Sequence, residues 1–281
     1  MYQWRKDIAQ WTIKDTLYLS VVFTWDLPRA KDIAAASKKK VIAGGPAVSL
    51  MPDYLRDVAE IGKNSPFALA MHNPLATFTT RGCTNKCSFC AVPKTEGDLI
   101  EWREWRASPV VCDNNLLAAS QGHFDMVIDS LKHLPFVDFN QGLQASLFTD
   151  HHAQRMSELK AAKVRFSFDH ISNESAVVDA INRARVHGLN NLGVYVMIGF
   201  EEAPEDAIYR LELIRSMGIW PNPMRYQPLT TLKKNEFLPP QWDETLLLKV
   251  MKYYSRLRFV EHIPFDEYEY TVENKQEAMF L

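Results

Sequence analysis

The 281-residue sequence predicts an α/β protein: a partial (β/α)6 TIM-like barrel, with a small Rossmann-like unit before it and a helical extension after it. Two observations predict the barrel. Six strand-like segments begin roughly 30 residues apart, which is the size of one strand–helix unit, and helical patterns fill the intervals. A flat doubly wound parallel sheet is the alternative interpretation of the same pattern.

The strand-like segments fall at similar intervals along the central part of the chain, at residues 75–80, 109–112, 136–140, 164–169, 192–199 and 223–227. Before them, the sequence predicts strands at 17–23, 41–43 and 67–70 and helices at 29–37 and 52–62. We therefore divide the chain into a reduced Rossmann-like unit (1–72), a barrel (73–235) and a helical extension (236–281). After the strand at 41–43, Gly44-Gly45 predicts a tight turn rather than a phosphate loop, because no complete phosphate-loop motif follows.

Composition limits the class of protein. Hydrophobic residues make up 47% of the chain and charged residues 23%, which excludes a disordered protein. No apolar run is long enough to span a bilayer, and the N-terminus has no signal-peptide pattern, so we expect a cytoplasmic protein without a membrane partner. A net charge of −2 argues against a positive potential over the whole surface that would attract nucleic acid, but it permits a local basic patch.

The cysteines carry the clearest chemical signal. Three of the four, Cys83, Cys87 and Cys90, form a C-x3-C-x2-C pattern at the end of the first barrel strand. A structural zinc site needs four protein ligands, and Cys112 could supply the fourth. A [4Fe-4S] cluster can instead be held by three thiolates, which leaves one iron open. The spacing favours the cluster, although a zinc centre remains the alternative. Cys112 follows the apolar residues Val110 and Val111, which is more typical of a buried core thiol.

With Phe89 just before its last cysteine, this pattern resembles the signature of the radical S-adenosylmethionine (SAM) enzymes. The resemblance covers about residues 75–230 and implies that Cys83, Cys87 and Cys90 bind three irons of a [4Fe-4S] cluster. It further implies that SAM chelates the fourth iron and is reductively cleaved to methionine and a 5′-deoxyadenosyl radical, which abstracts hydrogen from a substrate. An external electron donor of the flavodoxin or ferredoxin type is expected with it.

The resemblance also implies contacts to SAM at the ends of the later strands. Asp113, Asn114 and Asn115 end strand two and resemble an Asp/Asn-rich variant of the family's Gly-Gly-Glu motif, which is absent. Strand five only partly matches the family's adenine-packing region. The expected cofactor-binding residues are Phe89, Asp113, Asn114, Gln144, Ser167, Asp169, Ile198 and Gly199.

Strand four alternates between apolar and polar residues. Period-two geometry places Phe166 and Phe168 against helices, and it places Arg165, Ser167 and Asp169 in the interior. Buried polar groups need a ligand or one another, so an internal Arg165–Asp169 salt bridge is the alternative to a binding role. The same reasoning about strand ends predicts a set of substrate-facing residues: Asn140, Arg165, His170, Arg225 and Gln227.

The stretch from Trp102 to Arg106 contains two Trp-Arg pairs separated by Glu104. This pattern is typical either of base stacking or of an amphipathic packing segment, and we favour packing. Only one further cysteine is available, so a second cluster is not expected. The first unit resembles a shortened cobalamin-binding domain, but the chain has no Asp-x-His-x-x-Gly motif, which disfavours a cobalamin-dependent methyltransferase.

The sequence therefore predicts a radical SAM enzyme with a single cluster. As its substrate we expect a modified nucleobase in DNA, processed by rearrangement or elimination. The grounds are the tryptophan–arginine stretch and a similarity to phage-type members of the family. The alternative is a non-catalytic iron–sulfur or zinc protein that binds nucleic acid.

Overall fold

The computed structural model describes residue 4 and residues 8–62 and 67–269. These residues fold into two compact units. The first contains the described residues up to 141 together with 154–162 and 227–237, and the second contains 142–153, 163–226 and the described residues from 238 onward. Within the described part of the chain, no helix is both long and apolar enough to cross a membrane.

The first unit begins with a four-stranded sheet. Strands β1 (Ala9–Ile13) and β2 (Thr16–Ser20) form an antiparallel hairpin, and β2, β3 and β4 then pair in parallel in the order β1-β2-β3-β4. The remaining elements of this region are the helix α1 (Leu27–Ala36), β3 (Lys40–Gly44), the helix α2 (Pro46–Leu50) and β4 (Glu60–Ile61). Fully buried apolar side chains, including Leu19, Leu27 and Leu55, form its core. The strand–helix–strand pattern of the sequence is thus present, with β1 added at the edge.

Two local predictions in this region are wrong. The helix expected at 52–62 is a single 3-10 turn (Pro52–Tyr54) followed by β4, because Glu60 pairs with Ile42 of β3. A Cβ on Gly62 would lie 2.8 Å from Ile42 Cγ2, so this glycine permits close packing on β3 rather than ending a helix. The strand expected at 67–70 is the helix α3 (Ala68–His72), whose alanine, leucine and methionine favour helix.

The prediction of a tight turn at Gly44-Gly45 is confirmed. Gly45 has φ +100°, and a Cβ there would lie 2.5 Å from the carbonyl oxygen of Val21. The Ala47 N–H donates to that same oxygen at 3.1 Å. Glycine is therefore needed so that two backbone segments can approach each other, which accounts for the motif without a ligand.

The first unit also contains three parallel strands in the order β9-β8-β5 and a two-stranded antiparallel ribbon formed by β6 and β7. In chain order the elements after α3 are β5 (Ala76–Thr77), β6 (Thr80–Arg81), α4 (Val92–Thr95), β7 (Ile100–Glu101), β8 (Val110–Val111), α5 (Gln121–Leu131) and β9 (Val137–Phe139). Short 3-10 turns follow β8 at Leu116–Ala118 and β9 at Ala145–Leu147.

The second unit contains three longer parallel strands in the order β10-β11-β12, with helices in the intervals. Its elements, with the helix that precedes them, are α6 (Asp150–Ser157), β10 (Ala162–Phe168), α7 (Glu174–Val186), β11 (Leu192–Ile198), α8 (Pro204–Ser216), β12 (Pro221–Arg225), α9 (Glu244–Ser255) and α10 (Leu257–Val260). A 3-10 turn at Ile171–Asn173 precedes α7.

Six parallel strands thus occur at the six segments where the sequence predicts them, three in each unit. Gly188 and Gly218 follow α7 and α8 with φ +80° and +70°, the left-handed conformation that ends a helix. An α/β fold with parallel strands and intervening helices is therefore confirmed. The closure of these strands into a partial barrel and the boundaries at residues 72 and 235 stay predictions.

Candidate functional site

The three clustered cysteines lie on one closed loop of the first unit. Strands β6 and β7 pair antiparallel, with Thr80 opposite Glu101 and Arg81 opposite Ile100, and they join the two ends of the segment 82–99. We call this segment the cysteine loop. The Cys83 N–H donates to the Gly97 carbonyl oxygen at 3.1 Å, and the Cys90 N–H donates to the Cys87 carbonyl oxygen at 3.1 Å. The cysteines are therefore attached to a short, locally hydrogen-bonded segment directly after β6.

Gly82 fixes the first turn of the cysteine loop. Its φ is +78°, and a Cβ there would lie 2.0 Å from the carbonyl oxygen of Asp98. No other residue type fits both the left-handed backbone and this close approach. The glycine next to the first cysteine is thus required by the shape of the loop.

Glu96 connects the loop to the end of β8. Its carboxylate accepts hydrogen bonds from the Gly82 N–H at 3.0 Å and from Asn114 Nδ2 at 2.6 Å, and it forms an ion pair with the Arg81 guanidinium. The Glu96 side chain is only 16% exposed, so these contacts are poorly screened by water. Sequence reasoning missed this residue, since a single glutamate in a loop carries no motif.

Cys83, Cys87 and Cys90 are half-buried, and none of them forms a disulfide. Cys83 Sγ accepts hydrogen bonds from the Asn85 N–H at 3.4 Å and from Asn115 Nδ2 at 3.7 Å. Among the described residues, no three His, Cys, Asp or Glu side chains stand together as a metal-ligand group. Cysteine binds metals as the deprotonated thiolate. The three side chains would therefore come together as a ligand group only when the metal binds.

Cys112 differs from the other three cysteines. It is 3% exposed, its N–H donates to the Thr77 carbonyl oxygen at 2.9 Å, and burial raises the pKa of its thiol to about 12. A neutral thiol is a poor metal ligand. The interpretation of Cys112 as a buried core cysteine therefore agrees with the structure.

The donor set fits a [4Fe-4S] cluster held by Cys83, Cys87 and Cys90. Three half-buried thiols share one loop, backbone and side-chain N–H groups point at the Cys83 sulfur, and the fourth cysteine is a protonated core residue. Thiolate ligation with N–H donors to sulfur is the usual protein environment of such clusters.

Asp113 is 2% exposed and joins the end of β8 to the residues before the cysteine loop. Its carboxylate accepts hydrogen bonds from the N–H groups of Thr79 at 2.6 Å and Thr80 at 2.9 Å, and from the Thr79 hydroxyl. Burial raises the pKa of this carboxyl, and these hydrogen bonds oppose the rise. The carboxylate thus positions β6, and its expected contact with SAM stays a prediction.

The other expected residues of the first unit follow β8, β9 or β12, or lie in the cysteine loop. Asn114 is held by Glu96, and Phe89 is a half-buried residue of the cysteine loop. Asn140 follows β9, and its N–H donates to the Val111 carbonyl oxygen at 3.0 Å. Gln227 lies beyond β12, where its amide donates to Asn235 Oδ1 at 2.8 Å and accepts from the Asn235 N–H at 3.0 Å.

In the second unit, strand β10 buries the two phenylalanines as predicted, while the expected interior placement of its polar residues stays a prediction. Phe166 and Phe168 are completely buried, and Phe166 packs edge-on against Phe148. Arg165 is 9% exposed, with its guanidinium 6.0 Å from the Tyr195 ring centre. Ser167 donates a hydrogen bond to Asp169 and, like it, is half-buried.

Arg210, on α8, is the cation that acts on Asp169. Burial raises the pKa of the Asp169 carboxyl, and the charge of Arg210 opposes that rise. Arg210 is fully buried, and its Nη1 and Nη2 donate to the carbonyl oxygens of Phe168 at 2.5 Å and Met197 at 2.9 Å. It therefore fixes the ends of β10 and β11. Sequence reasoning missed Arg210, whose position in α8 looked like any polar helical position.

Glu202 completes this buried charge cluster. Its carboxylate lies 3.5 Å from Arg210 Nη2 and accepts a hydrogen bond from the Gly199 N–H at 2.8 Å. Gly199 has φ +74°, and the neighbouring Ile198 is fully buried, with its carbonyl oxygen accepting from the Tyr226 N–H at 2.9 Å. The Gly199 N–H and the Ile198 carbonyl oxygen are thus engaged within the protein, and the expected contacts of Ile198 and Gly199 with SAM stay predictions.

The remaining expected residues have local roles in the structure. Gln144 Nε2 donates to Ser146 Oγ at 3.0 Å. His170 is exposed, and its Nδ1 accepts from the Ser172 N–H at 3.2 Å, as a cap of the following 3-10 turn. Arg225 is half-buried, and burial lowers the pKa of its guanidinium. None of these contacts tests a role in binding SAM or substrate, which stays a prediction for all three.

The tryptophan–arginine stretch mainly packs against its own unit. The Trp105 ring lies 5.4 Å from the buried His123 ring, and Arg106 donates to the Pro74 carbonyl oxygen. Trp102 meets Phe78 edge-on at 6.3 Å and remains 41% exposed. The packing interpretation is thus supported for Trp105 and Arg106, while Trp102 and the exposed Arg103 are available at the surface.

The chain is an α/β protein with a three-cysteine loop, and comparison with solved structures shows a likeness to a radical SAM enzyme at the level of the fold. The radical SAM methyltransferase TsrM from Kitasatospora setae, solved with cobalamin and a [4Fe-4S] cluster bound, superposes with a TM-score of 0.54 at 12% sequence identity. The match covers 77% of this chain and 63% of that chain, so this chain spans less than two thirds of its structural neighbour. No protein-family profile and no curated protein sequence matches the chain.

Proposed function

We propose that this protein is a radical SAM enzyme in which Cys83, Cys87 and Cys90 hold a [4Fe-4S] cluster. One observation carries the proposal: three half-buried cysteines, none of them in a disulfide, share a closed loop that follows the first of six parallel strands. The fold likeness to a radical SAM enzyme supports it. When bound, such a cluster supplies the electron that cleaves SAM to methionine and a 5′-deoxyadenosyl radical.

The chain's own residues contribute the geometry. Glu96 holds the start of the cysteine loop and the Asn114 side chain in one hydrogen-bonded unit. Asp113 holds the backbone of Thr79 and Thr80, which lead into that loop. These contacts keep the three thiols at a constant position relative to the ends of β5 and β8, where we propose that Asn114 binds the amino group of SAM.

For the second unit we propose contacts to SAM from Gln144, Ser167, Asp169, Ile198 and Gly199. Arg210 supports this group, because it fixes the carbonyl groups of Phe168 and Met197 beside it. Asn140, Arg165, His170, Arg225 and Gln227 are proposed to face the substrate. The neighbour's cobalamin is not included in the proposal, since the sequence has no Asp-x-His-x-x-Gly motif.

The electron donor we propose is a flavodoxin or ferredoxin, in a reducing cytoplasm where four free cysteines persist. For the substrate we propose a modified nucleobase in DNA, changed by rearrangement or elimination after hydrogen abstraction. Trp102 and Arg103 support this choice, because an exposed ring can stack on a base and a guanidinium can pair with phosphate. A binding constant for DNA that does not fall with increasing salt would count against it.

Anaerobic reconstitution with iron and sulfide tests the metal centre. We expect about four irons and four sulfides per chain and, after reduction, an electron paramagnetic resonance (EPR) spectrum that changes on addition of SAM. The variant Cys83→Ala should lose the cluster, and the matched variant Cys112→Ala should keep it. A colourless protein with one zinc, or a cluster whose spectrum SAM leaves unchanged, would instead indicate a non-catalytic metalloprotein.

A further inference from the structure

Asn115 is a buried side chain aimed at a cysteine sulfur. It follows β8, it is 3% exposed, and its Nδ2 lies 3.7 Å from Cys83 Sγ. The Asn85 N–H approaches the same sulfur at 3.4 Å from within the cysteine loop. Two N–H donors from separate segments of the chain therefore converge on the sulfur of the first cysteine.

The backbone of Asn115 has a separate local role. Its carbonyl oxygen accepts a hydrogen bond from the Ala118 N–H at 3.1 Å in the 3-10 turn Leu116–Ala118. The neighbouring Asn114 side chain is held by Glu96. A substitution that changes only the Asn115 side chain thus leaves the hydrogen bonds of this turn and of Asn114 in place, and removes the donor to Cys83.

A hydrogen bond to sulfur has a defined electrostatic effect on a metal–thiolate centre. One-electron reduction adds negative charge that is shared by the ligand sulfurs, and an N–H dipole directed at a sulfur stabilises that charge. The effect is larger in a buried site, where water does not screen it. A donor to Cys83 therefore favours the reduced over the oxidised form and raises the reduction potential.

We propose that Asn115 is a positioning residue that raises the reduction potential of the metal centre at Cys83 through its Nδ2–Sγ hydrogen bond. The proposal rests on the proposed function, since it requires a redox-active cluster on the cysteine loop. Without the hydrogen bond from Asn115, transfer of one electron from the donor to the oxidised centre would be less favourable, although the ligands of the centre would be unchanged.

The test is a potentiometric titration of the reconstituted full-length protein followed by EPR. Asn115→Leu removes the donor at similar size, and Asn115→Asp removes it and adds an acceptor with negative charge. We expect both variants to bind iron as the unaltered protein does, with potentials shifted to more negative values, further for Asp than for Leu. At a fixed potential near the midpoint, the reduced fraction of the Leu variant should fall several-fold.

Thr84→Val is the matched control, because Thr84 is an exposed neighbour in the same loop, and its potential should equal that of the unaltered protein. A potential in Asn115→Leu that is unchanged or more positive would overturn the proposal, as would loss of iron from both Asn115 variants, which would assign the side chain to loop folding. Absence of an iron–sulfur cluster from the unaltered protein would overturn the proposed function itself, so the two failures are distinguishable.

Discussion

The carboxylate of Glu96 accepts a hydrogen bond from the Gly82 N–H at 3.0 Å, directly before the first of three clustered cysteines. The same side chain binds Asn114 at the end of β8 and pairs with Arg81 on β6. One residue in the later part of the cysteine loop therefore fixes both the beginning of that loop and the adjacent strand end.

Replacement of Glu96 should destabilise the first unit and reduce cluster retention. Glu96→Ala removes the acceptor of two hydrogen bonds and the partner of a mostly buried arginine. We expect a loss of about 2–3 kcal/mol in the free energy of unfolding and fewer irons per chain after gel filtration. Urea unfolding and iron analysis measure the two effects, and Glu96→Gln, which keeps one acceptor oxygen, should fall between.

Asp98→Asn is the control for the Glu96 variants. Asp98 lies in the same loop, but its side chain is 86% exposed and its partner Lys86 is 61% exposed. An exposed ion pair of this kind contributes little, so neither stability nor iron content should change measurably. Equal effects at Glu96 and Asp98 would contradict the role given to Glu96.

Gly82→Ala should disrupt the cysteine loop. The new Cβ would lie 2.0 Å from the Asp98 carbonyl oxygen, on a residue with φ +78°. Backbone strain alone costs about 1–3 kcal/mol, and the overlap adds to it, so we expect lower thermal stability and loss of most bound iron. Gly122→Ala provides the comparison: a Cβ there meets nothing within 4 Å, in helix α5, and the change should be neutral or stabilising. Iron content in Gly82→Ala equal to that of the unaltered protein would refute this prediction.

The three loop cysteines should react with an alkylating agent faster than Cys112 does. In the metal-free protein at pH 8, iodoacetamide should alkylate the half-buried Cys83, Cys87 and Cys90, while Cys112 stays unmodified until urea is added. Burial raises the pKa of the Cys112 thiol to about 12, so little thiolate forms there, and thiolate is the reacting species. Mass spectrometry of tryptic peptides measures each rate. Alkylation of Cys112 at the rate of the loop cysteines would show that it is accessible and would reopen the four-ligand zinc site.

Arg210→Met should destabilise the second unit in a pH-dependent way. Asp169 and Glu202 already have pKa values raised by burial, and removal of the Arg210 charge raises them further. Each of these carboxyls has a higher pKa in the folded chain than in the unfolded chain. At pH values between the two, the folded chain keeps protons that the unfolded chain has released, so the free energy of unfolding falls as pH rises through this range. We expect a loss of about 3–5 kcal/mol at pH 8 and a smaller loss at pH 5, by urea unfolding. Arg185→Met, which removes an exposed arginine, should show no such dependence.

Local patterns were sufficient to predict the cluster of three cysteines and the six parallel strands. The spacing of Cys83, Cys87 and Cys90 lies within eight consecutive residues, and the alternation of Phe166 and Phe168 follows from the pleat of one strand. The helices that end at Gly188 and Gly218 are predictable for the same reason, because a left-handed glycine terminates a helix locally.

The residues that sequence reasoning missed act across long separations. Glu96 bonds to Gly82 across 14 residues and Arg210 to Phe168 across 42. Asn115 belongs to the polar motif predicted at the end of strand two, but its contact with Cys83, across 32 residues, was not predicted. Their side chains are unremarkable in sequence because their partners are backbone groups or a sulfur brought near by the fold. The strand at Glu60–Ile61 was missed for a similar reason, since pairing with β3 overrides the local helical pattern.

The central claim is that the cysteine loop supports reductive cleavage of SAM, and the most direct measurement is the amount of 5′-deoxyadenosine released by the reconstituted protein with SAM and dithionite under argon. We predict its formation in a time-dependent manner, its absence without reductant, and its absence from the Cys83→Ala variant. An iron–sulfur-loaded protein that releases no 5′-deoxyadenosine, or equal release by Cys83→Ala, would contradict the account.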